Sequence, residues 1–481
     1  MPFAVVLAYA SIEQVLFAAR WSRCAQLCNI AKVDMSSTIR FHGPGRVNGT
    51  IVMPGDKSIS HRAAMLASIA DGDSIIDGFA SSADCASTLD CIKRLGVPVE
   101  AIGTSLIIHG QRSGRYEPSG DSVLLDAGNS GSTIRMMSGL VAPQSFEVVF
   151  DGDASLRRRP MRRIIEPLRL MGAAVEAERD NFPPLRIKGR RLRGIDYRSS
   201  ISSAQVKTAV LFAGLRAEGS TSYHEPALSR NHTEFMLREF GIEFEETSAG
   251  GSHEIRLEGG QDIQPLRYRV PGDPSSAAFF AAAAAALSDS NVVIKQLNLN
   301  PTRIAFIEAL ESLGGGVAFL NKAHLHGEAV GDLAVSSRSL SAGAGVWRVA
   351  GDAIPSLIDE LPMLAVLSTQ VEGRVEVREA NELRIKESDR ISAVVAGVRA
   401  LGGEIEEFED GFAVNGPQRL TGGVIDSEGD HRIAMAFSIA GLMAHGVTEI
   451  RGAECAAVSF PEFYEMLMSL TPEGLIEEVH A

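Results

Sequence analysis

The chain is poor in cysteine, with five in 481 residues. That excludes a disulfide-stapled scaffold, which carries cysteine far more densely. Three residues separate Cys24 from Cys28 and five separate Cys85 from Cys91, and no second pair or HxxxH partner completes a zinc site. All five are expected to be reduced thiols in a cytoplasmic protein, with no metal bound. Long apolar runs are absent too. None reaches the ~18 residues that a membrane span needs. Ala277–Leu287 is alanine-rich and reads as a buried helix. Residues 1–34 carry the apolar patches Phe3–Ala10 and Val15–Ala19, but no basic start precedes them as in a signal peptide. The segment, only weakly like a transit peptide, reads as an upstream start ahead of Met35. Positive charge is in deficit: 46 Lys and Arg against 60 Asp and Glu leave −14. A general nucleic-acid or anionic-membrane binder would be basic, so neither partner is expected. A local basic cleft remains possible.

What is present is a period. A small residue followed by a β-branched or aromatic run recurs at Gly72, Ser145, Gly219, Asn291, Gly373 and Gly446, with gaps of 73, 74, 72, 82 and 73 residues. In phase with it, helix-like stretches end at Gly96, Gly172, Gly241, Gly314 and Gly402. Glycine there suits a helix C-terminus because it accepts left-handed geometry. Each unit therefore reads as strand, loop, helix, glycine, strand. Six such α/β units fill nearly all of residues 38–481 and suggest two similar lobes of three. Pro54-Gly-Asp-Lys-Ser58 and Pro271-Gly-Asp-Pro-Ser275 share one pattern about three units apart. A repeated turn at that spacing fits two crossings between lobes. The expected division is 1–37 as an extension, 38–55 with 272–481 as one lobe, and 56–271 as the other.

The unusual charges gather in loops that open helices, where free N–H groups favour anions. Lys57, Ser58 and Arg62 follow the first crossing. Asp126 to Arg135 is a glycine-rich turn opening a helix. Leu156 to Arg159 is a basic run before Pro160, which suits a first helical position. Ser202 to Gln205, Leu383 to Arg390 and Asp430 to Arg432 complete the set. Each basic loop alone could be a solvated charge run; together they point to a small polyanion gripped by arginines. Lys57 is not a Walker lysine, because Asp56 stands where glycine is required. Two acids stand out. Asp359 lies in apolar Ile354 to Pro362, where its proton affinity is expected to rise. Glu387 lies between Lys386 and Arg390 and is expected to stay ionised. Such a divergent pair suits acid–base work, although a helix cap for Asp359 and an i,i+3 ion pair of Glu387 with Arg390 would explain them structurally.

In order and spacing, Pro54 to Arg62, Gly128 to Arg135, Arg159-Pro160, Ser203 to Gln205, Arg384 to Arg390, Asp430 to Met435 and Ser459 to Phe463 resemble the 5-enolpyruvylshikimate-3-phosphate synthase family. The resemblance spans about residues 38 to 475. It implies two lobes, each of three βαβαββ units, forming an inside-out α/β barrel of the enolpyruvyl transferase kind, with substrates in the cleft between. It implies enolpyruvyl transfer from phosphoenolpyruvate to the 5-hydroxyl of shikimate 3-phosphate, without a cofactor, in a monomer. By motif position, Lys57, Ser58, Arg62, Ser203, Ala204, Gln205, Ser229, Asp359 and Lys386 correspond to shikimate 3-phosphate ligands. Lys57, Gly131, Arg159, Gln205, Arg390 and Arg432 correspond to phosphoenolpyruvate ligands. Asp359 falls on the proton acceptor, and Lys386 with Glu387 on the second acid–base position; Lys57, which reaches both substrates, counts with Asp359 and Glu387 among the catalytic residues. Glyphosate, the family's inhibitor, would compete with phosphoenolpyruvate, and Gly131 leaves room where tolerant members carry alanine.

Departures place the chain in the family's second sequence class: Ala204 in Ser-Ala-Gln, Glu382 in place of an asparagine, and Val458 in place of a lysine. The alternative acceptor is UDP-N-acetylglucosamine, used by a sister enzyme. That enzyme carries Lys-Asn where Lys57-Ser58 stands, and a reactive loop cysteine that neither Cys85 nor Cys91 matches. An RNA-end cyclase on similar units lacks its histidine signature here, and the intact acid–base positions argue against a non-catalytic anion binder.

Overall fold

A computed structural model describes residues 37–111 and 114–479. The N-terminal extension, with Cys24 and Cys28, lies outside the described residues.

All six repeat anchors are strands: Asp73–Asp77, Glu147–Asp151, Ser220–Glu225, Asn291–Asn298, Val371–Val377 and Gly446–Arg451. Each takes an inner place in its own four-stranded sheet. Each is parallel to one neighbour and antiparallel to the other, as Glu147–Asp151 is to Ser122–Asp126 and Phe182–Lys188. A parallel pair needs a crossover, and the helix Gly131–Val141 supplies it; the helix Arg162–Leu170 and the hairpin Ala174–Glu178 with Phe182–Lys188 finish the unit. The result is βαβαββ, six times. The long gap of 82 residues is absorbed by strands. Gly316–Leu325, Glu328–Ser336 and Leu340–Val349 run nine or ten residues each, and register shifts interrupt their pairing. The five glycines predicted to end helices all have positive φ, between 74° and 105°.

The first helix of each unit is buried on nearly every face, which explains why the alanine-rich stretch Pro274–Ala286 carries no polar stripe. Lys57–Ser68, Gly131–Val141 and Ala204–Gly214 form one such trio, and Pro274–Ala286, Leu361–Ser368 and His431–Met443 the other. Small residues let them approach closely: a Cβ on Gly139 would lie 2.1 Å from the Ala209 carbonyl oxygen. Helices thus fill the interior and sheets face outward, with no closed ring of strands among the described residues. The buried apolar side chains form two clusters. One runs from Ile59 to Val270; the other joins Ile39–Met53 to Ala277–Leu470.

The chain leaves one lobe after the strand Asn48–Val52 and returns at the helix Pro274–Ala286, whose next strand, Asn291–Asn298, pairs with Asn48–Val52. One lobe is therefore inserted between a strand and the helix of its own unit. The two crossings lie antiparallel, bridged at Gly55 and Gly272. The Asp56 N–H donates to the Pro271 carbonyl at 2.8 Å, and the Asp273 N–H to the Pro54 carbonyl at 3.0 Å. We propose the lobe boundaries at these crossings, 38–55 with 272–481 and 56–271.

Gly55 is needed for this approach, because a Cβ there would lie 1.9 Å from the Gly78 carbonyl oxygen. Backbone cannot yield as a side chain can, so Gly55→Ala is expected to destabilise the protein by at least ~1–3 kcal/mol. A urea midpoint equal to the parent's would refute that close contact.

Candidate functional site

A cavity of about 630 Å³ lies between the two lobes. Every residue matched to a ligand or acid–base position by sequence lines it, from Lys57, Ser58 and Arg62 through Gly131, Arg159, Ser203, Ala204, Gln205 and Ser229 to Asp359, Lys386, Glu387, Arg390 and Arg432. The reason is helical. Lys57, Gly131, Ala204 and Arg390 are the first residues of their helices, and Arg432 is the second of its own. The buried helices of both lobes direct their N-termini at one cleft, adding positive dipole ends to the side-chain charges. Ten lysines and arginines against seven carboxylates line the cavity, an excess of cations in a chain of net charge −14. Asp56, Ser130, Asp389 and Asp430 cap their helices with side-chain oxygens; Ser203 makes no such bond, which leaves its hydroxyl for a ligand.

Each functional cation has a partner. Lys57 Nζ lies 2.7 Å from Asp84 Oδ2. Burial would lower the Lys57 pKa, but Asp84 outweighs it and raises it. Arg62 donates to Thr233 at 2.8 Å, Thr208 at 3.0 Å and the Ser58 carbonyl at 2.9 Å. Arg159 holds Asn129 Oδ1 at 2.6 Å, and Arg432 lies 3.6 Å from Glu360. Arg390 binds Asp430 at 2.8 Å and Glu387 at 2.6 Å. The ion pair of Glu387 with Arg390 thus exists, inside the cavity rather than on a solvated helix face. Behind Ser229, the Lys207 ammonium donates to Glu225 at 2.8 Å and Glu234 at 2.6 Å, all buried. Glu225, Glu234 and His253 are the one cluster with metal-ligand spacing among the described residues, and that ammonium already fills it with a cation.

Several contacts cross the cleft. Arg230 meets Asp359 at 2.7 Å, Arg159 meets Glu387 at 3.3 Å, and Arg163 meets Glu382 at 3.4 Å. They overturn one expectation. Asp359 does not have raised proton affinity: burial pushes that way, but Arg230, Lys386, Arg432 and Arg390 hold its pKa well below the ordinary carboxylate value. Burial is likewise overridden for Glu387, by Arg390, Arg159 and His431. The acid next to Asp359, Glu360, does have a raised pKa, from burial and the Asp359 charge although Arg432 opposes the shift. Asp359 is not a helix cap either, since Glu360 holds the capping position before Leu361–Ser368. Pro160 is not a first helical residue; the helix begins at Arg162, with Met161 capping.

Sequence reasoning missed Asp84, Arg135, Arg163, Arg303, Glu360 and His431, all in or against the cavity. Arg135 and His431 were visible inside motifs. The others carry no local signal, because their partners lie far along the chain. Arg135 binds Gln205 at 2.9 Å, and Gln205 in turn donates to Ser132 at 3.0 Å.

The sequence profile of the family described as EPSP synthase (3-phosphoshikimate 1-carboxyvinyltransferase) matches residues 41–467. The chain is 47% identical over 429 residues to the 3-phosphoshikimate 1-carboxyvinyltransferase of Solibacter usitatus, covering 89% of this chain and 98% of the relative. It is 44% identical over 434 residues to that of Brevibacillus brevis, covering 90% and 100%. The solved EPSP synthase of Acinetobacter baumannii superposes with a TM-score of 0.79 at 38% identity, covering 92% of this chain and all of that one. The enolpyruvyl transferase NikO of Streptomyces tendae, at 16% identity and a TM-score of 0.73, shares the fold.

His431 yields a pH prediction. Burial, with Lys57 and Arg432 nearby, lowers its pKa from 6.5 to about 4, against the pull of Glu387 and Asp430. The unfolded chain then binds the proton first, so this stability is complete above pH 6.5 and is lost as pH falls through 4. The loss should be on the order of 2 kcal/mol by pH 5. His61, also buried and lowered, acts in the same direction. His431→Gln is therefore expected to shrink, without abolishing, the drop in urea midpoint from pH 7 to pH 5. An undiminished drop would show that His431 titrates normally.

Proposed function

Because the chain belongs to the EPSP synthase family, we propose that it transfers the enolpyruvyl group of phosphoenolpyruvate to the 5-hydroxyl of shikimate 3-phosphate and releases phosphate. The observation that carries the reading is the cleft itself. Cations and helix N-termini from both lobes surround one space, and among the carboxylates lining it Asp359 and Glu387 are each held by an arginine of the other lobe. Two phosphates and two carboxylates brought together need that many positive groups. In this reading Lys57, Ser58, Arg62, Ser203, Ala204, Gln205, Ser229 and Lys386 seat shikimate 3-phosphate. Gly131, Arg159, Arg390 and Arg432 seat phosphoenolpyruvate, and Lys57 with Gln205 faces both. The setting is cytoplasmic and the protein monomeric; no helix among the described residues is long and apolar enough to cross a membrane.

The ion pairs suggest how the acid–base groups become competent. Arg230 with Lys386 keeps Asp359 ionised, and Arg390 with Arg159 keeps Glu387 ionised, each against the effect of burial. Substrate phosphates and carboxylates compete for those guanidiniums and loosen their hold, so proton affinity returns to the two acids once substrates are in place. Asp359 then takes the 5-hydroxyl proton as that oxygen bonds to C2 of phosphoenolpyruvate. Glu387, beside Lys386, takes up a proton from solvent as that hold loosens and gives it to the methylene carbon, forming the tetrahedral intermediate. In elimination the new methyl returns a proton to Glu387, the bond from C2 to the phosphate oxygen breaks, and the proton on Asp359 leaves with phosphate. Each transfer is worth ~10²–10⁴-fold, and holding the anions in register supplies much of the remainder.

The alternative acceptor loses ground on chemistry. Cys85 and Cys91 are fully buried and burial raises both thiols, so neither offers a thiolate in an open loop. Phosphate release from phosphoenolpyruvate should require shikimate 3-phosphate and fail with UDP-N-acetylglucosamine; the reverse requirement would overturn the reading. Asp359→Asn is expected to cut kcat ~10²–10⁴-fold. Arg159→Ala and Arg432→Ala should raise KM for phosphoenolpyruvate ~10–150-fold, from the roughly 1.5–3 kcal/mol of a charge-assisted contact. A loss confined to shikimate 3-phosphate would reverse the two subsites.

Gly131→Ala tests the phosphoenolpyruvate subsite separately. The added Cβ would meet Arg135 Nη1 at 2.7 Å and Arg159 Nη1 at 3.5 Å. It would press on flexible guanidiniums rather than backbone, so the variant should fold and become more tolerant of glyphosate. An inhibition constant equal to the parent's at fixed phosphoenolpyruvate would remove Gly131 from that subsite.

A further inference from the structure

The matched aspartates of the two crossings remain unexplained by the reaction. Asp56 and Asp273 each precede a buried helix and cap it: Asp56 Oδ1 accepts from the Ile59 N–H at 2.9 Å, and Asp273 Oδ1 from the Ser275 N–H at 2.9 Å. Both also bind one guanidinium. Arg303 Nη2 donates to Asp56 Oδ2 at 3.1 Å and to Asp273 Oδ1 at 2.8 Å, and its Nε reaches Asp56 Oδ2 at 3.3 Å. All three residues are buried. Arg303 sits in a loop that is itself fixed: its N–H donates to the Asn300 carbonyl at 2.8 Å, and Asn300 donates to Asn231 at 2.7 Å.

We propose that Arg303 is a positioning residue for the transfer reaction, holding the start of the Lys57 helix in one lobe to the start of the Ser275 helix in the other. The inference rests on the function proposed above. Lys57 and Ser58 directly follow Asp56. On the other side, the Ser275 carbonyl accepts from Arg432 Nη1 at 3.3 Å, and the Ser275 hydroxyl donates to Glu360. One planar, rigid guanidinium therefore links the lysine that faces both substrates to an arginine of the phosphoenolpyruvate subsite. The chain path does not require it, because the crossings are already joined by their own backbone hydrogen bonds. What Arg303 adds is a fixed angle between two helix starts, and it does so while neutralising two carboxylates that would otherwise repel each other. Displacing groups by about 1 Å around reacting atoms can cost ~10²-fold in rate.

The test compares the parent with Arg303→Met and with the double variant Asp56→Asn/Arg303→Met. Asparagine still caps a helix and removes one of the two orphaned charges, leaving Asp273 without a like charge beside it, so the double variant remains informative if the single one fails to fold. Kinetics are run with both substrates well below each protein's unfolding midpoint. The expected result is a folded variant whose kcat/KM falls about 10–100-fold, with KM raised for both substrates. If kcat and both KM values stay within about twofold of the parent while only the unfolding midpoint drops, Arg303 is a structural brace and the proposal is wrong. A change in KM for one substrate alone also overturns it, since that marks a local contact rather than a link. Absence of shikimate 3-phosphate-dependent phosphate release in the parent would instead sink the functional reading.

Discussion

Both lobes point the positive ends of their buried helices the same way, at each other, and the rest of the molecule follows from that. Helices packed side by side with parallel dipoles repel at their ends, and the repulsion is tolerable only where something negative is supplied. The capping carboxylates Asp56, Asp273, Asp389 and Asp430 supply part of it from within the chain. The cleft leaves the remainder unmet. Arginines and lysines at the same helix starts deepen the deficit, which suits the cleft to anionic ligands.

Charge, rather than steric crowding, governs the site. Asp359 and Glu387 each meet an arginine of the opposite lobe, and with Lys386 and Arg390 beside them these hold both carboxyls well below their ordinary range. Lys57 shows the same logic with opposite sign, since Asp84 keeps it charged despite burial.

The fold was legible because a repeat is a local property copied six times. Gly72 to Ile76 and its five counterparts each announce an inner strand, and the following glycines mark helix ends from backbone geometry alone. The one irregular gap was not interpretable from sequence, since longer strands with slipped register look like any insertion. The site residues were legible as motifs, and all of them line one cavity. Their electrostatics were not. Asp359 sits among apolar neighbours in sequence, yet Arg230 reaches it from the opposite lobe. Asp84, Arg163 and Arg303 each matter through a partner distant in the chain, and no spacing rule finds such a pair. Pro160 was misplaced by two residues because Met161, which forms no side-chain cap, opens the helix instead.

The insertion of one lobe within a unit of the other has a consequence for the order of assembly. The strand Thr38–Gly43 is among the first described segments to be synthesised, yet it pairs with Gly446–Arg451 and Ile476–Val479. The strand Asn48–Val52 waits for Asn291–Asn298. Neither has a sheet partner on a nascent chain that ends at Val270, whereas by then every strand of the inserted lobe, including Arg267–Arg269 against Ile75–Asp77, has found its own. The lobe that stands second in the sequence is the first whose contacts can be completed. The strand Asn48–Val52 stays unpaired until Asn291–Asn298 has been made, and Thr38–Gly43 until Gly446–Arg451 has been made, so the outer lobe closes around an inserted lobe that can already be folded.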